Sequence, residues 1–208
     1  MWSRMIVAWA SLVLLNACGS SRPPSTMHDT STQFATQTAR AVFPIERLRI
    51  QAERGNVEAQ FALAQAYDHG RDVPKDKAEA VRWYRLAALQ GDMFAQNALG
   101  DNYWEGTGVQ KDDTEAVRWW RLAADKGFSP AQHSLGKILS GGGQGVRPDR
   151  LQAYMWLELS AAQGDQEAGR QGGILSKKLT QVEIMNAKQL VDQWKPDRGN
   201  STAKRILQ

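Results

Sequence analysis

The sequence has little cysteine and little histidine, and these shortages exclude several kinds of site. Of its 208 residues one is cysteine, Cys18, and three are histidine. A single cysteine can form neither a disulfide within the chain nor a cysteine zinc site. The histidines, His28, His69 and His133, have neither the H-x-x-x-H spacing nor a nearby cysteine that a zinc site needs. We therefore expect no metal and no cofactor.

Motifs of catalytic and phosphate-binding sites are also incomplete. Ser134 and Lys137 have the S-x-x-K spacing of serine penicillin-recognising enzymes, but neither S-D-N nor K-T-G accompanies them. The glycine-rich stretch 141–145 lacks both a preceding strand and the Lys-Ser/Thr pair of a phosphate-binding loop. No nucleophile stands with a base in a recognisable pattern. The sequence therefore predicts a protein that is not an enzyme.

The net charge is small, and the apolar run near the N-terminus is short. The formal charge is +4, which is typical of an ordinary soluble surface. The apolar run at residues 5–15 follows Arg4 and is too short to span a bilayer as a helix. This pattern predicts an export signal, and export argues against nucleic acid as a partner.

The stretch Leu15-Asn16-Ala17-Cys18 resembles the lipobox of bacterial lipoproteins. The resemblance implies a signal peptide at residues 1–17 and a mature chain that begins at a lipidated Cys18, with palmitate among its acyl chains. Gly19, which is not the aspartate that retains such proteins in the inner membrane, implies the outer membrane, facing the periplasm. Residues 18–41, rich in Ser and Thr, predict a flexible linker. The alternative is an ordinary secretory signal with a chance cysteine.

The most prominent feature of the sequence is an internal repeat. Two successive stretches, from Gly55 and from Gly91, each contain an aromatic pair followed by Arg-Leu-Ala-Ala and then, three residues later, a glycine. Gly55, Gly91, Gly127 and Gly164 mark spacings of 36, 36 and 37 residues. A fixed period of this length indicates a solenoid, in which each repeat buries its apolar face against its neighbours.

Each repeat contains two helical patterns joined by a loop. Apolar residues at helical spacing predict the first helix, and a capping pair predicts the start of the second. The capping pairs are Asp76 with Glu79, Asp112 with Glu115, Asp149 with Gln152, and Thr180 with Glu183. We therefore predict an all-α array of αα-hairpins. It has an N-terminal capping helix (42–54), repeats at 55–90, 91–126 and 127–163, a degenerate unit at 164–194 and a disordered tail at 195–208.

Three details of this register can be tested directly. In the third repeat, Ser129 is predicted to be the N-cap of a helix with Pro130 at its first position. Ala161 and Ala162 are predicted to face inward in the second helix of that repeat. The closing helix is predicted to face inward through Val182, Met185, Leu190 and Trp194.

The second repeat resembles the Sel-like repeat, a relative of the tetratricopeptide repeat. The first repeat departs from the pattern with Ala64 and Asp72 in place of glycine, and the third has Leu139 in place of tyrosine and one extra loop residue. The resemblance implies a right-handed superhelix whose first helices line a concave groove for partners. The matching residues are Ala95, Leu99, Gly100, Tyr103, Gly106, Gly108, Val109, Asp112, Ala116, Trp119, Trp120, Ala123, Ala124 and Gly127.

Binding specificity is expected where the first helices differ between repeats, at positions i, i+4 and i+7 on one face. Trp104 is either an interface anchor or a side chain packed against a neighbouring loop. A basic ladder on the second helices, at Arg82, Arg85, Arg118 and Arg121, is better explained as a solvated face paired with glutamates. The predicted groove residues are Phe61, Gln65, Asp68, Asn97, Asp101, Trp104, His133 and Lys137.

Together these features predict a monomeric, lipid-anchored adaptor that binds a protein or peptide in its groove. Two alternatives stay open. One is a factor that acts on peptidoglycan or β-lactams, and the other is a passive spacer between layers of the envelope.

Overall fold

The computed structural model describes residues 44–197, which form nine α-helices and no β-strand. The predicted all-α repeat fold is thereby confirmed. The predicted signal peptide, Cys18 and the linker lie outside the described residues. Within the described part, no helix is long and apolar enough to cross a membrane. The helices are α1 (Pro44–Glu53), α2 (Val57–His69), α3 (Lys77–Leu89), α4 (Met93–Glu105), α5 (Asp113–Asp125), α6 (Ser129–Gly141), α7 (Arg150–Ala162), α8 (Gln166–Ser176) and α9 (Gln181–Gln193).

Side-chain caps at the helix starts explain where most helices begin. The carboxylate of Asp76 accepts the N–H of Glu79, and Asp112 and Asp149 act in the same way for α5 and α7. These bonds satisfy N–H groups that the first turn of a helix leaves without a partner. At the start of α9, Thr180 and Glu183 form the predicted reciprocal capping box.

The helix α6 begins differently from the prediction. Its N-cap is Phe128, which makes no side-chain capping bond, and Ser129 is the first helical residue. The predicted N-cap at Ser129 is therefore wrong. The Ser129 hydroxyl lies 2.8 Å from that of Ser160 on α7 instead. The Ser129 side chain thus connects α6 to α7 and does not cap α6.

Helices that follow each other in the chain pack together from α1 to α8, as a solenoid requires. The aromatic pairs of the second helices are buried as predicted, with Trp83, Tyr84, Trp119 and Trp120 each at most 5% exposed. Alanines of these helices are completely buried between the aromatic side chains, which lets neighbouring helices approach closely.

A row of buried glutamines, which was not predicted from the sequence, joins each repeat to the helix before it. Gln60, Gln96 and Gln132 lie 36 residues apart, and all three are buried. Their side-chain amides donate to the carbonyls of Ala52, Ala88 and Ala124 at 3.0, 3.0 and 3.2 Å. A buried amide needs such partners, so the row fixes the register between repeats.

Because the loop of the third repeat has one extra residue, the second helix of that repeat begins one residue later, relative to its first helix, than in the earlier repeats. Ser160 is fully buried at the place that Ala87 and Ala123 occupy in the earlier repeats. Ala161 is half-buried and packs against the core, as predicted, whereas Ala162 is exposed, so the prediction that Ala162 faces inward is wrong.

The closing helix α9 faces inward with other residues than predicted. Val182, Met185 and Leu190 are exposed, whereas Ala187 is fully buried. The reason is that α9 packs mainly against α7 rather than pairing with α8 as a second helix would. Trp194 is half-buried, as expected of an inward residue, with its ring centroid 6.4 Å from that of Trp156.

The predicted disordered tail begins at residue 195, but the chain is held as far as 197. The N–H of Asp197 donates to the carbonyl of Asp125 at 2.7 Å. The prediction is thus wrong for residues 195–197, and residues 198–208 lie outside the described range.

Candidate functional site

The first helices α2, α4 and α6 carry all eight predicted groove residues, and we call their solvent-facing side the first-helix face. Lys137 is exposed, and the other seven are half-buried. Most of the eight are engaged within the molecule.

A row of three phenylalanines crosses this face from one repeat to the next. The ring centroids of Phe61 and Phe94 are 5.9 Å apart, and those of Phe94 and Phe128 are 5.1 Å apart. Both separations lie within the range of favourable aromatic pairs. Phe94, in the middle, is 47% exposed. We call Phe61, Phe94 and Phe128 the phenylalanine row. Of the three, only Phe61 is among the predicted groove residues.

The three members occupy different positions in their repeats, so the repeat pattern does not require them. Phe61 lies in the second turn of α2, Phe94 lies in the first turn of α4, and Phe128 precedes α6. At the position of Phe128 the other three first helices have a capping residue, Asn56, Asp92 or Asp165. Losing such a cap costs about 1 kcal/mol. The third repeat thus lacks a stabilising bond where it completes the row.

Two predicted groove residues form a closed cluster with a buried tryptophan. Asp101 accepts one hydrogen bond from the indole N–H of Trp120 and one from the amide of Asn97, both at 2.9 Å. Burial raises the pKa of Asp101 to about 6, against the two hydrogen bonds, which lower it. Asp101 therefore orients Trp120 and is not a freely available carboxylate.

Trp104 packs within its own repeat. Its ring centroid lies 6.0 Å from that of Trp120, and the ammonium of Lys111 lies 4.5 Å from the Trp104 ring centroid, within cation–π range. Lys111 belongs to the loop after α4. Of the two interpretations of Trp104, packing against a loop describes what the structure shows.

The remaining predicted residues also have partners inside the molecule, except at the C-terminal end of the face. Asp68 pairs with Lys77 at 2.6 Å, and His133 lies 2.8 Å from a carboxylate oxygen of Asp165. Gln65 is half-buried, and its main-chain carbonyl oxygen lies 2.9 Å from a ring nitrogen of His69, a contact that does not involve the Gln65 side chain. Lys137 makes no ion pair with any described residue.

The Asp165 carboxylate is fully used by its neighbours. One oxygen faces His133 and accepts from the Ser160 hydroxyl at 3.1 Å, and the other accepts the N–H groups of Glu167 and Ala168. Burial acts to raise the pKa of Asp165, but the Ala168 hydrogen bond and the nearby His133 outweigh it and hold the pKa below its usual range. The histidine contacts the aspartate, not a serine, so this is not the arrangement of a serine nucleophile with its base.

The S-x-x-K residues Ser134 and Lys137 lie on the same helix, α6. Ser134 is half-buried, and no hydrogen bond joins its side chain to Lys137. Across residues 44–197, no group of three His, Cys, Asp or Glu side chains could hold a metal ion.

The basic ladder on the second helices is largely paired. Arg82 and Arg118 contact Glu79 and Glu115 at 2.6 and 2.5 Å, three residues away on the same helices. Arg85 donates to the hydroxyl of Tyr103 at 2.5 Å. Such exposed i, i+3 pairs contribute little energy and leave a solvated surface.

Comparison with known proteins identifies the repeat. The sequence pattern of the Sel1 repeat matches residues 57–92, 94–128 and 129–165, which together are more than half of the chain. The chain belongs to the Sel1 repeat family. Sel1 repeat proteins generally mediate protein–protein interaction. None of the curated proteins matches this chain significantly.

Two solved structures of Sel1 repeat proteins are similar to this one. A Sel1 repeat protein from Oxalobacter formigenes is 40% identical with a TM-score of 0.56, and the match covers 62% of this chain and 96% of that chain. A protective antigen of uropathogenic Escherichia coli strains, which displays the same repeat fold, is 29% identical with a TM-score of 0.57. That match covers 78% of this chain and 43% of the antigen.

Proposed function

We propose that this Sel1 repeat protein is a lipid-anchored adaptor of the bacterial envelope that binds a protein partner on its first-helix face and performs no chemistry itself. Two proposals are combined here, one about binding and one about the anchor. The phenylalanine row carries the first, and the lipobox-like sequence at Cys18 carries the second.

The phenylalanine row supports binding because its middle member, Phe94, is exposed and because the repeat pattern does not require the row. Aromatic side chains are enriched among the residues that dominate interface energies. At the position of Phe94 the first repeat has Glu58, an acid that suits the first turn of a helix. An exposed phenylalanine in place of a stabilising acid favours a role outside the folding of the chain.

The binding proposal can be tested by photo-crosslinking in cells with a benzoylphenylalanine placed at Phe94. The matched control position is Leu89 on α3, which is 46% exposed against 47% for Phe94. We expect a discrete protein adduct from Phe94 and none from Leu89. Adducts from Leu89 alone, or none from Phe94, would contradict a partner site on the first-helix face.

A substitution separates binding from folding. Phe94→Glu copies Glu58 of the first repeat but removes two ring contacts worth about 0.5–1.5 kcal/mol each, which the favourable acid in the first turn of α4 partly offsets. The free energy of unfolding should therefore fall by roughly 1–2 kcal/mol, and the chain should stay folded. Capture of the crosslinked partner by the purified variant should nevertheless fall at least tenfold. The control Leu89→Glu should keep wild-type capture. Equal capture by both variants would show that the row is not the binding surface.

The anchor is tested independently of the binding face. Cys18→Ala removes the acceptor of the proposed lipid, so the protein should move from the membrane fraction to the soluble fraction. Stable anchoring requires more than one acyl chain, so loss of all of them should release the protein completely. Retention of Cys18→Ala in membranes would exclude the lipoprotein proposal.

The two alternative functions predict different results. An enzyme acting on β-lactams should hydrolyse a chromogenic β-lactam and lose that activity in Ser134→Ala. A passive spacer should tolerate Phe94→Glu in cells but not a shortened linker at residues 18–41. Neither alternative uses the phenylalanine row, and for this reason we favour the adaptor.

A further inference from the structure

A second surface lies at the C-terminal end of the first-helix face, beyond the phenylalanine row. It is a cleft of about 300 Å³ between α6, α7 and α8. Leu157 and Leu175 are buried and line it, and Ile174 beside them is 60% exposed. We call this the basic cleft because of the charged residues around it.

Three cations surround the basic cleft, and no acid lines it. Lys137 lies on α6, Arg150 starts α7, and Lys178 lies just beyond the end of α8. All three are exposed. Lys137 and Lys178 form no ion pair with a described residue, whereas Arg150 interacts electrostatically with Glu183. The cleft therefore combines an apolar floor with an excess of positive charge.

We propose that the basic cleft binds an acidic segment of a partner protein, with an apolar side chain on Leu157, Ile174 and Leu175 and carboxylates at Lys137, Lys178 and Arg150. This proposal rests on the proposed adaptor function and names the chemistry of part of its partner. Charge complementarity selects acidic segments, because a basic or neutral segment would leave the cations unpaired.

The shape of the cleft favours a peptide over a flat anionic surface. The cations come from three separate elements around a recess rather than from one exposed plane. Its volume is at the lower end of the range for binding pockets, which suits one short segment and not a whole domain. An inorganic anion alone would leave the apolar floor and exposed Ile174 unused.

The chain's own segments outside the described residues do not match the cleft. Residues 198–208 contain three basic residues and no acid, and residues 1–43 contain a single acid, Asp29. Neither provides several carboxylates beside an apolar residue. Charge thus indicates an external partner instead of these segments.

The test is selection from an unbiased library of 12-residue peptides displayed on phage, using the purified full-length protein. Three proteins are compared in parallel: the wild type, the charge reversal K137E/K178E, and the control R71E/K75E. The control reverses two exposed cations in the loop of the first repeat, so the two variants have the same net charge. Thermal unfolding followed by circular dichroism checks that all three fold.

We expect the wild type and R71E/K75E to enrich peptides with at least two acids next to an apolar residue, and K137E/K178E to lose them. A synthetic peptide from the enriched set should bind the wild type at least tenfold more tightly than K137E/K178E. Its binding should weaken as salt rises, because the charges are exposed. Replacing the acids of the peptide by Gln should remove binding, and Ile174→Ser should weaken it.

Several outcomes would overturn this proposal. These are enrichment of neutral or basic peptides, an unchanged set with K137E/K178E, or no enrichment by any of the three proteins. Binding to phosphatidylglycerol vesicles that K137E/K178E abolishes, without acidic peptides, would assign the cleft to lipid instead. If the peptide selection fails but Phe94 still gives a discrete adduct, the adaptor proposal stands without the acidic segment. If both experiments fail, the adaptor proposal fails as well.

Discussion

Replacing Gly100 by alanine tests the packing that orients Trp120. Gly100 lies inside α4, and a Cβ atom added there would lie 2.3 Å from Cδ1 and 2.4 Å from Nε1 of the Trp120 indole. Contacts this short cannot persist, so the indole or the helix must move. Trp120 is 3% exposed, and its N–H donates to Asp101 at 2.9 Å. Little free space is available for such a movement.

The expected cost follows from three contributions. Inserting a methyl group into a well-packed core costs about 1–3 kcal/mol. A displaced indole would also lose its hydrogen bond to Asp101, which contributes about 1 kcal/mol. Alanine is better than glycine in a helix interior by about 1 kcal/mol, which offsets part of the loss. We therefore expect Gly100→Ala to lower the free energy of unfolding by roughly 1–3 kcal/mol.

The control is Gly173→Ala on α8, where an added Cβ atom would meet no atom within 4 Å. Here only the preference of a helix for alanine over glycine remains, so the free energy of unfolding of the variant should rise by about 0.5–1 kcal/mol. The assay is urea unfolding of the full chain followed by circular dichroism, with thermal melts beside it. A loss of 1–3 kcal/mol corresponds to a fall in Tm of very roughly 2–12 °C for a protein of this size.

The first repeat suggests a rescue. There the same two positions carry Ala64 and Tyr84, both buried, so tyrosine tolerates the alanine that Trp120 does not. Adding Trp120→Tyr to Gly100→Ala should cost less than the two single changes combined, which a double-mutant cycle measures. The reasoning would be refuted if Gly100→Ala were as stable as the wild type, or if the two changes were simply additive.

Two further predictions concern polar groups buried between the helices. Because burial raises the pKa of Asp101 to about 6, the folded chain holds that proton more tightly than the unfolded chain. As the pH rises from about 4 to about 6, this contribution should lower the free energy of unfolding. Asp101→Asn, which still accepts a hydrogen bond from Trp120, should show a smaller slope and be no less stable at pH 7. A steeper slope in Asp101→Asn would contradict this. The buried side-chain oxygens of Gln60 and Gln132 accept hydrogen bonds from Gln90 and Gln163. The corresponding oxygen of Gln96 has no partner among residues 44–197, because Lys126 occupies the equivalent position and donates to the Gly91 carbonyl instead. Lys126→Gln should therefore raise the free energy of unfolding by up to about 1 kcal/mol in urea unfolding, and a decrease would show that the lysine contact matters more.

Prediction from sequence succeeded where a feature recurs in every repeat. The marker glycines, the capping aspartates and the buried Trp83, Trp119 and Trp156 recur at intervals of 36 or 37 residues, and such periodicity identifies the inward side of a helix directly. The buried glutamines repeat as regularly. They were missed because glutamine is mostly an exposed residue, so its recurrence at an inward position was not given weight.

Prediction failed where the repeat pattern is broken. In the third repeat Ser160 and Ala161 occupy the positions of the alanine pairs of the earlier repeats, so Ala162, the second alanine of the pair Ala161-Ala162, was wrongly placed inward. The N-cap of α6 is Phe128, whose side chain cannot cap a helix, and Ser129 beside it was chosen instead. On α9, Val182 and Met185 lie at helical spacing, but the helix packs against α7 with a different side. The sequence of one element shows that an apolar side exists; it does not show which neighbour covers each side.

The repeat, its helices and most of the core could be predicted from sequence patterns, because each of these depends on contacts within a repeat or between identical surfaces. Which exposed residues of different repeats meet is visible only in the folded chain. Phe61, Phe94 and Phe128 are not equivalent in the repeat, and they form a row because of how successive first helices are placed. Lys137, Arg150 and Lys178 converge on one cleft for the same reason. That placement depends on the packing of every pair of helices, which no local sequence pattern contains.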